Sequence, residues 1–430
     1  MRTTHIHKLK DVPKFKNKLL TWAQQFDDVV WLDSNNYKQS YSSYDAILAV
    51  DAFTSIRTDF HQGFEKLKEY QSYCKDWVFG YLSYDLKNDV EALDSKNADG
   101  LGFPDLSFFQ PKRLFLIKVN QLEMHYLNAV SDEINYDLFN VEHGREAPRG
   151  TVQNDIKIKL RIHKDDYFEK VEYMLERIHR GDIYEANFCQ EFYAEDTQIN
   201  PLETYQKLNG ISKPPFAAFV KMDDKFVLSS SPERYIKKNG DQIISQPIKG
   251  TAKRAMNPED DMELMTNLSK DKKERSENIM IVDLVRNDLS KTALKGSVQV
   301  KELCKIYTFD QVHQMISTVT SKVDTQTHPV DILKSTFPMG SMTGAPKISA
   351  MKIIEDLEET KRGVYSGAIG YFSPTGDFDF NVVIRSILYN QTKKYVSYSV
   401  GGAITAKSDP LREYEECLVK AKAMRTVLEN

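Results

Sequence analysis

The stretch FAAFVKMDDKFVLSSSPERYIKKNGDQIISQPI, residues 216–248, decides the fold class. Apolar and β-branched runs alternate with the polar breaks Asp223-Asp224-Lys225 and Asn239-Gly240-Asp241, the pattern of strands joined by tight hairpin turns. The pattern returns at GVYSGAIGYFSPTGDFDFNVVIRSILYNQTKKYVSYSVGGAI, residues 363–404, a meander with turns expected at 373–378 and 390–394. Helical patterns lie in blocks between these runs. In HKDDYFEKVEYMLERIHRGDIYEANF (163–188), Phe168, Val171, Met174/Leu175 and Ile178 recur every three to four residues, and Gly181 sits where a helix C-cap glycine would. A helical block is expected over 258–290. Another follows MTGAP, with Pro346 in its first turn and an end near Gly363. A last helix follows Asp409 as N-cap and Pro410 as first helical residue. Blocks of strands and helices, rather than strict alternation, predict an α+β protein with antiparallel sheets.

Upstream, DDVVWLDSN (27–35) and DWVFGYLSYDL (76–86) read as strands, and residues 105–127 as strand, turn, strand. The polar segment 143–157 marks a boundary between residues 1–145 and a region 158–425, or a surface loop in one intertwined fold. The 430 residues hold 58 basic and 62 acidic side chains, a net charge of -4 that argues against a dedicated nucleic-acid or membrane binder. Four scattered cysteines without a C-x-x-C pair suit reduced thiols. With no secretory signal and no 18-residue apolar run, the cytoplasm is the expected location.

The chemistry-bearing candidates begin at QPIKGTAKR (246–254), where Lys249 stands between Pro247 and Gly250 in tightly constrained backbone. Glu274 and Glu277 are three apart on one helix face, and Glu416 and Lys420 are four apart on the last helix. Each pair reads either as solvated surface charge or, for glutamates from two helices, as a Mg²⁺ site. Glu233 in SSSPERY is a turn carboxylate or a general acid. The Gly-rich FPMGSMTGAPK (337–347) is a turn or an anion cradle, but not a Walker A loop, since Ala345-Pro346 separate its last glycine from lysine. Tyr365 and Arg385 are expected on successive strands. Arg385, flanked by Ile384 and Ile387, either faces solvent or is buried and needs an anionic partner. His313 reads as a core histidine or a site residue.

In order, GDIYEANF, SSSPER, PIKGTAKR, ERSENIMIVDLVRNDL, DQVHQMISTV, GSMTGAPK, YSGAIGY, IRSILY, GGAIT and EYEECLVKAKA resemble the chorismate-utilising enzymes over about residues 160–425. WLDSNN and GYLSYDL resemble the N-terminal region of the amine-forming members. The resemblance implies large antiparallel sheets in a sandwich-like core flanked by helices. It implies chorismate as substrate and Mg²⁺ held by Glu277 and Glu416 with Glu274 beside them. Lysine in PIKGT marks the aminodeoxychorismate synthases, where anthranilate synthases usually carry alanine. By resemblance, Lys249 attacks C2 of chorismate and expels the C4 hydroxyl, which Glu233 protonates. Ammonia then adds at C4 and releases the lysine. His313 would lie near the reacting ring, and Thr251, Tyr365, Arg385, Gly401, Gly402 and Lys420 would hold the ring or its carboxylates. Ser34, Pro215 and Phe216 match an amino-acid pocket, that of tryptophan in the family.

Water-adding relatives carry lysine after GDxY and amine-forming ones usually glutamine; Glu185 stands there in this chain, a candidate contact for incoming ammonia. No cysteine sits in a G-x-C-x-G elbow, so ammonia is expected from a separate glutamine amidotransferase subunit, in a heterodimer, or from free ammonium. A lyase making p-aminobenzoate would act next. The rival readings are anthranilate synthase component I, a non-catalytic chorismate or amino-acid sensor, and a phosphate-binding enzyme built on GSMTGAPK.

Overall fold

The protein is described by a computed structural model covering residues 1–37, 41–144 and 156–429. The opening stretch forms four strands, Phe216–Met222, Lys225–Ser231, Arg234–Asn239 and Gln242–Gln246. Two-residue turns close both hairpins: Met222 pairs with Lys225 and Asn239 with Gln242. Asp223 (φ 54°) and Gly240 (φ 60°) take the left-handed conformation that matches the twist of the flanking strands. Every ladder between strands of the described residues is antiparallel, as the α+β reading requires.

Strands from early in the chain are laddered to strands from late in it. Asp28–Asp33 lies between Ala46–Thr58 and Phe216–Met222. Val78–Leu82 lies between Leu106–Lys118 and Ala368–Phe372. Most of the expected boundary at 143–157, residues 145–155, lies outside the described residues.

The period-two alternation of these strands splits the core in two. Val29, Trp31, Leu48 and Phe115 face a cluster shared with Leu19, Met174, Leu208 and Met424 from four helices. Their neighbours Val30, Ile47, Ala49 and Leu114 face a second cluster with Phe79, Ile236, Ile369 and Phe380 from other strands. One apolar layer therefore lies between sheet and helices, and the other packs strand on strand with Leu67, Ile281 and Leu333 of three further helices beside it, a sandwich-like core flanked by helices.

Caps set the helix that matters most for the site. Asp271 Oδ1 accepts from the backbone N–H groups of Lys273 (2.8 Å) and Glu274 (3.0 Å), splitting the expected 258–290 block into Pro258–Lys270 and Lys272–Ser290. Gly181 (φ 90°) and Asp409 cap as expected. The helix after MTGAP spans Lys347–Leu357, shorter than expected, with Pro346 as its N-cap. Among the described residues no helix is long and apolar enough to cross a membrane.

Arg362 ties the layers together from within. Its buried guanidinium donates to Glu358 (2.6 and 2.9 Å), to the carbonyls of Met342 and Asn187 (both 2.7 Å), and lies 4.5 Å from the centroid of the Tyr84 ring. Arg362→Leu leaves Glu358 as an unpaired buried charge. A loss of about 3–5 kcal/mol is expected, read as a lower urea midpoint at unchanged m-value.

Candidate active site

The site is assembled where the strand Glu185–Ala194 meets Tyr395–Thr405 and Ile248–Lys253. The last of these pairs with Val312–Lys322, and its register shifts between Ile248 and Thr251. Lys249 and Gly250 occupy that bulge. Gly250 has φ 93°, and a Cβ there would lie 3.1 Å from Glu274 Oε2, so only glycine fits. The bulge re-aims Lys249 out of the ladder. Its Nζ lies 3.2 Å from Glu185 Oε1, with 12% of the Lys249 side chain and 2% of the Glu185 side chain exposed. Burial alone would lower the Lys249 pKa; Glu185, Glu277 and Glu233 together outweigh it and hold the ammonium above the ordinary lysine value.

Glu233 occupies the corner between Lys225–Ser231 and Arg234–Asn239. Burial pushes its carboxyl up to about 7, against the hydrogen bond from Ser341 and the charge of Lys249. At neutral pH it is thus poised to give up a proton.

A second group of carboxylates is carried by two helices beside Lys249. Glu274 and Glu277 sit on Lys272–Ser290, and Glu413 and Glu416 on Pro410–Glu429. Lys273 Nζ stands between the helices, 3.8 Å from Glu277 Oε1 and 3.5 Å from Glu413 Oε1. Among the described residues Glu277 Oε1 is buried without a hydrogen bond, and burial raises its carboxyl to about 7. Lys420 Nζ bonds to Glu416 Oε1 (2.7 Å) and to the Gly401 carbonyl (2.8 Å). A Cβ on Gly402 would lie 3.3 Å from Glu413 Oε2, 3.7 Å from Lys420 Nζ and 4.0 Å from Glu416 Oε1, so glycine keeps open the gap on which these groups converge.

Among the described residues no three metal-ligating side chains are drawn into a finished coordination sphere. The donor set nevertheless fits Mg²⁺: hard carboxylate oxygens, one of them buried without a hydrogen bond among the described residues, gathered around a cation that is at present an ammonium. Glu416, with 49% of its side chain exposed, forms the rim, while Glu277 is buried.

Tyr365 and Arg385 do not lie within strands. Tyr365 is in a turn at 363–366, and Arg385 (φ 53°) is in the break between Phe378–Val382 and Ser386–Asn390. A non-glycine residue held in the left-handed region costs about 1–2 kcal/mol, a strain that recurs at binding sites. Burial lowers the Arg385 pKa, with Tyr365 and Glu416 opposing, and among the described residues its guanidinium makes no ion pair. It is the fork left free for an anion.

His313 is not brought to this group. Its Nδ1 is 2.9 Å from Thr308 Oγ1 and its Nε2 3.0 Å from Asp261 Oδ1, on the side facing the helix Pro258–Lys270. The cause is strand alternation: Gln314, one residue on, pairs with Thr251 and so faces the other way. Gln314 is buried, and its Oε1 has no hydrogen-bond partner among the described residues. Thr251 itself is exposed. Sequence reasoning missed Gln314, Ser341, Lys273 and Glu413. For Glu413 the signal was present, since it precedes Glu416 by three residues, the spacing that singled out Glu274 and Glu277.

GSMTGAPK cradles no anion with its lysine. Lys347 Nζ is held by Asp288 Oδ2 (2.6 Å) and the Pro338 carbonyl (2.9 Å), and the loop is buried against the site through Ser341. Away from this centre, Ser34, Pro215 and Phe216 do share a cavity, of about 70 Å³, with Arg234 and Asp379. That is well below the roughly 300–1,000 Å³ of ordinary ligand pockets.

A family model described as chorismate binding enzyme matches residues 27–426. The aminodeoxychorismate synthase component 1 of Klebsiella aerogenes is 39% identical over 353 residues, 82% of this chain and 77% of that protein. The aminodeoxychorismate synthase of Streptomyces griseus is 37% identical over 374 residues, 83% of this chain; the chain spans half of that longer relative (50%). The crystal structure of anthranilate synthase component I from Streptococcus pneumoniae superposes with a TM-score of 0.79 at 26% identity, covering 90% of this chain and 93% of that one. A match that runs through nearly the whole chain, and takes in every group gathered around Lys249, makes this protein a member of the chorismate binding enzyme family.

Proposed function

We propose that the protein joins ammonia to chorismate to give 4-amino-4-deoxychorismate, with Lys249 as nucleophile. The observation that carries this reading is a buried lysine amine, on a bulge that aims it, 3.2 Å from Glu185 and in the field of Glu233 and Glu277. An amine so placed has no purpose if ammonia attacks the ring directly, as in the rival reading, anthranilate formation. Lys249 forms the N–C2 bond once it has lost a proton, and the C4–O bond breaks as the ring electrons shift. Glu233 supplies the proton with which the hydroxyl leaves as water. Ammonia then bonds to C4 and the C2–N bond breaks, restoring the lysine.

Arg385, without an ion pair among the described residues, takes one carboxylate of the substrate, and Lys420, Tyr365 and the backbone at Gly401 and Gly402 line the other side. Glu277 and Glu416, backed by Glu274 and Glu413, would hold Mg²⁺, which supplies a Lewis acid for the ring carboxylate and offsets the acidic charge around Lys249. Ammonia comes from a separate glutamine amidotransferase chain in a heterodimer, and a lyase forming p-aminobenzoate consumes the product, in a reducing cytoplasm.

With chorismate, Mg²⁺ and ammonium, mass spectrometry is expected to find aminodeoxychorismate and no anthranilate; anthranilate from the wild type overturns the reading. Lys249→Ala should lower turnover by about 10³-fold or more. Because Glu233 must be protonated and titrates at about 7, turnover should fall as pH rises through about 7. Glu233→Gln should lose roughly 10²–10⁴-fold and abolish that limb of the profile. Calorimetry should find that Lys273→Met, which removes the competing ammonium, tightens Mg²⁺ binding roughly tenfold, and that Glu277→Gln weakens it.

A further inference from the structure

We propose that Glu185 is the proton acceptor of Lys249, and so a further catalytic residue of this site; the inference rests on the reading of Lys249 as nucleophile. Five carboxylates act on Lys249: Glu185 from the strand Glu185–Ala194, Glu233 from its strand corner, Glu274 and Glu277 from one helix and Glu416 from another. Among them Glu185 alone touches the amine, at 3.2 Å. With 12% and 2% of the two side chains exposed, the pair is shielded from bulk water, so a proton leaving the ammonium passes to a neighbouring group.

Glu185 is built to receive it. Its Oε1 is committed to Lys249, and its Oε2 is buried with no hydrogen-bond partner among the described residues. That oxygen is a vacant acceptor on the group that touches the lysine amine. The backbone holds the group in place from both sides: Glu185 is paired with Thr405 on one edge and Ala345 on the other.

The proton inventory closes. Lys249 passes a proton to Glu185, which becomes a neutral acid, and the free amine attacks C2. The departing hydroxyl takes the Glu233 proton and leaves as water, so the new secondary ammonium is balanced by the Glu233 carboxylate. Ammonia attacks C4, the C2–N bond breaks, and the positive charge moves to the product ammonium, whose proton restores Glu233. Glu185 then returns its proton to Lys249. The sum is chorismate plus ammonia giving aminodeoxychorismate and water.

The test combines two readouts on the wild type, Glu185→Gln and Glu185→Asp. The first is the pH dependence with which acetic anhydride labels Lys249, followed by peptide mass spectrometry without substrate. In E185Q the labelling midpoint should fall by at least one pH unit. The second is turnover with chorismate and ammonium, where E185Q should lose roughly 10²–10⁴-fold with the KM for chorismate within about threefold. E185D keeps a carboxylate, and should keep most of the labelling midpoint while turning over more slowly; it carries the test if E185Q does not fold. An unchanged midpoint in E185Q, or turnover within threefold of wild type, overturns the role of Glu185. A wild type that makes no aminodeoxychorismate overturns the reading of function instead, and the labelling comparison still decides whether Glu185 governs the lysine proton.

Discussion

The antiparallel pairing of Glu185–Ala194 with Tyr395–Thr405 is the constraint on which the site depends. It sets Glu185 opposite Thr405 and Cys189 opposite Gly401, and so fixes the distance between the lysine's partner and the glycine pair. The same strand offers the Asn187 carbonyl to Arg362, which also holds Met342 and so the loop carrying Ser341. Ser341 in turn contacts Glu233. One ladder and one buried guanidinium therefore set the positions of Glu185, Glu233 and the glycines Gly401 and Gly402.

Charge balance gives the site its character. Six carboxyls, Glu185, Glu233, Glu274, Glu277, Glu413 and Glu416, face three ammonium groups, Lys249, Lys273 and Lys420. Much of this charge is taken out of water, and burial lifts Glu233 and Glu277 to near neutrality. The excess of acid is tolerable because part of it is protonated and part is compensated by lysine. A divalent cation held there would complete the compensation.

Much of this was legible in the sequence because its signals are local. Two-residue turns, the Asp409 and Gly181 caps, and the three-residue spacing of Glu274 and Glu277 each act within a few residues, and each appears in the structure. The ordered motifs named the region, and Lys249 stood out through its constrained neighbours. What escaped was decided by long-range register. Whether His313 or Gln314 faces the site depends on the strand's pairing with Thr251 and on the helix bearing Asp261. The contact between Lys249 and Glu185 spans 64 residues of sequence. The left-handed turn at Arg385 breaks a run that reads as continuous strand, because no glycine or proline announces it.

The interleaving of early and late strands also has a consequence during synthesis. Val78–Leu82 leaves the ribosome with Leu106–Lys118 soon available on one edge, but its other partner, Ala368–Phe372, lies roughly 290 residues further along. At about 5–20 residues per second, that edge stays open for something like 15–60 s. The segment is apolar and aromatic, VFGYL, the kind of edge that recruits other strands. The nascent chain is thus open to mispairing along this edge until Ala368–Phe372 is made, and a holding chaperone acting in that interval would protect this strand.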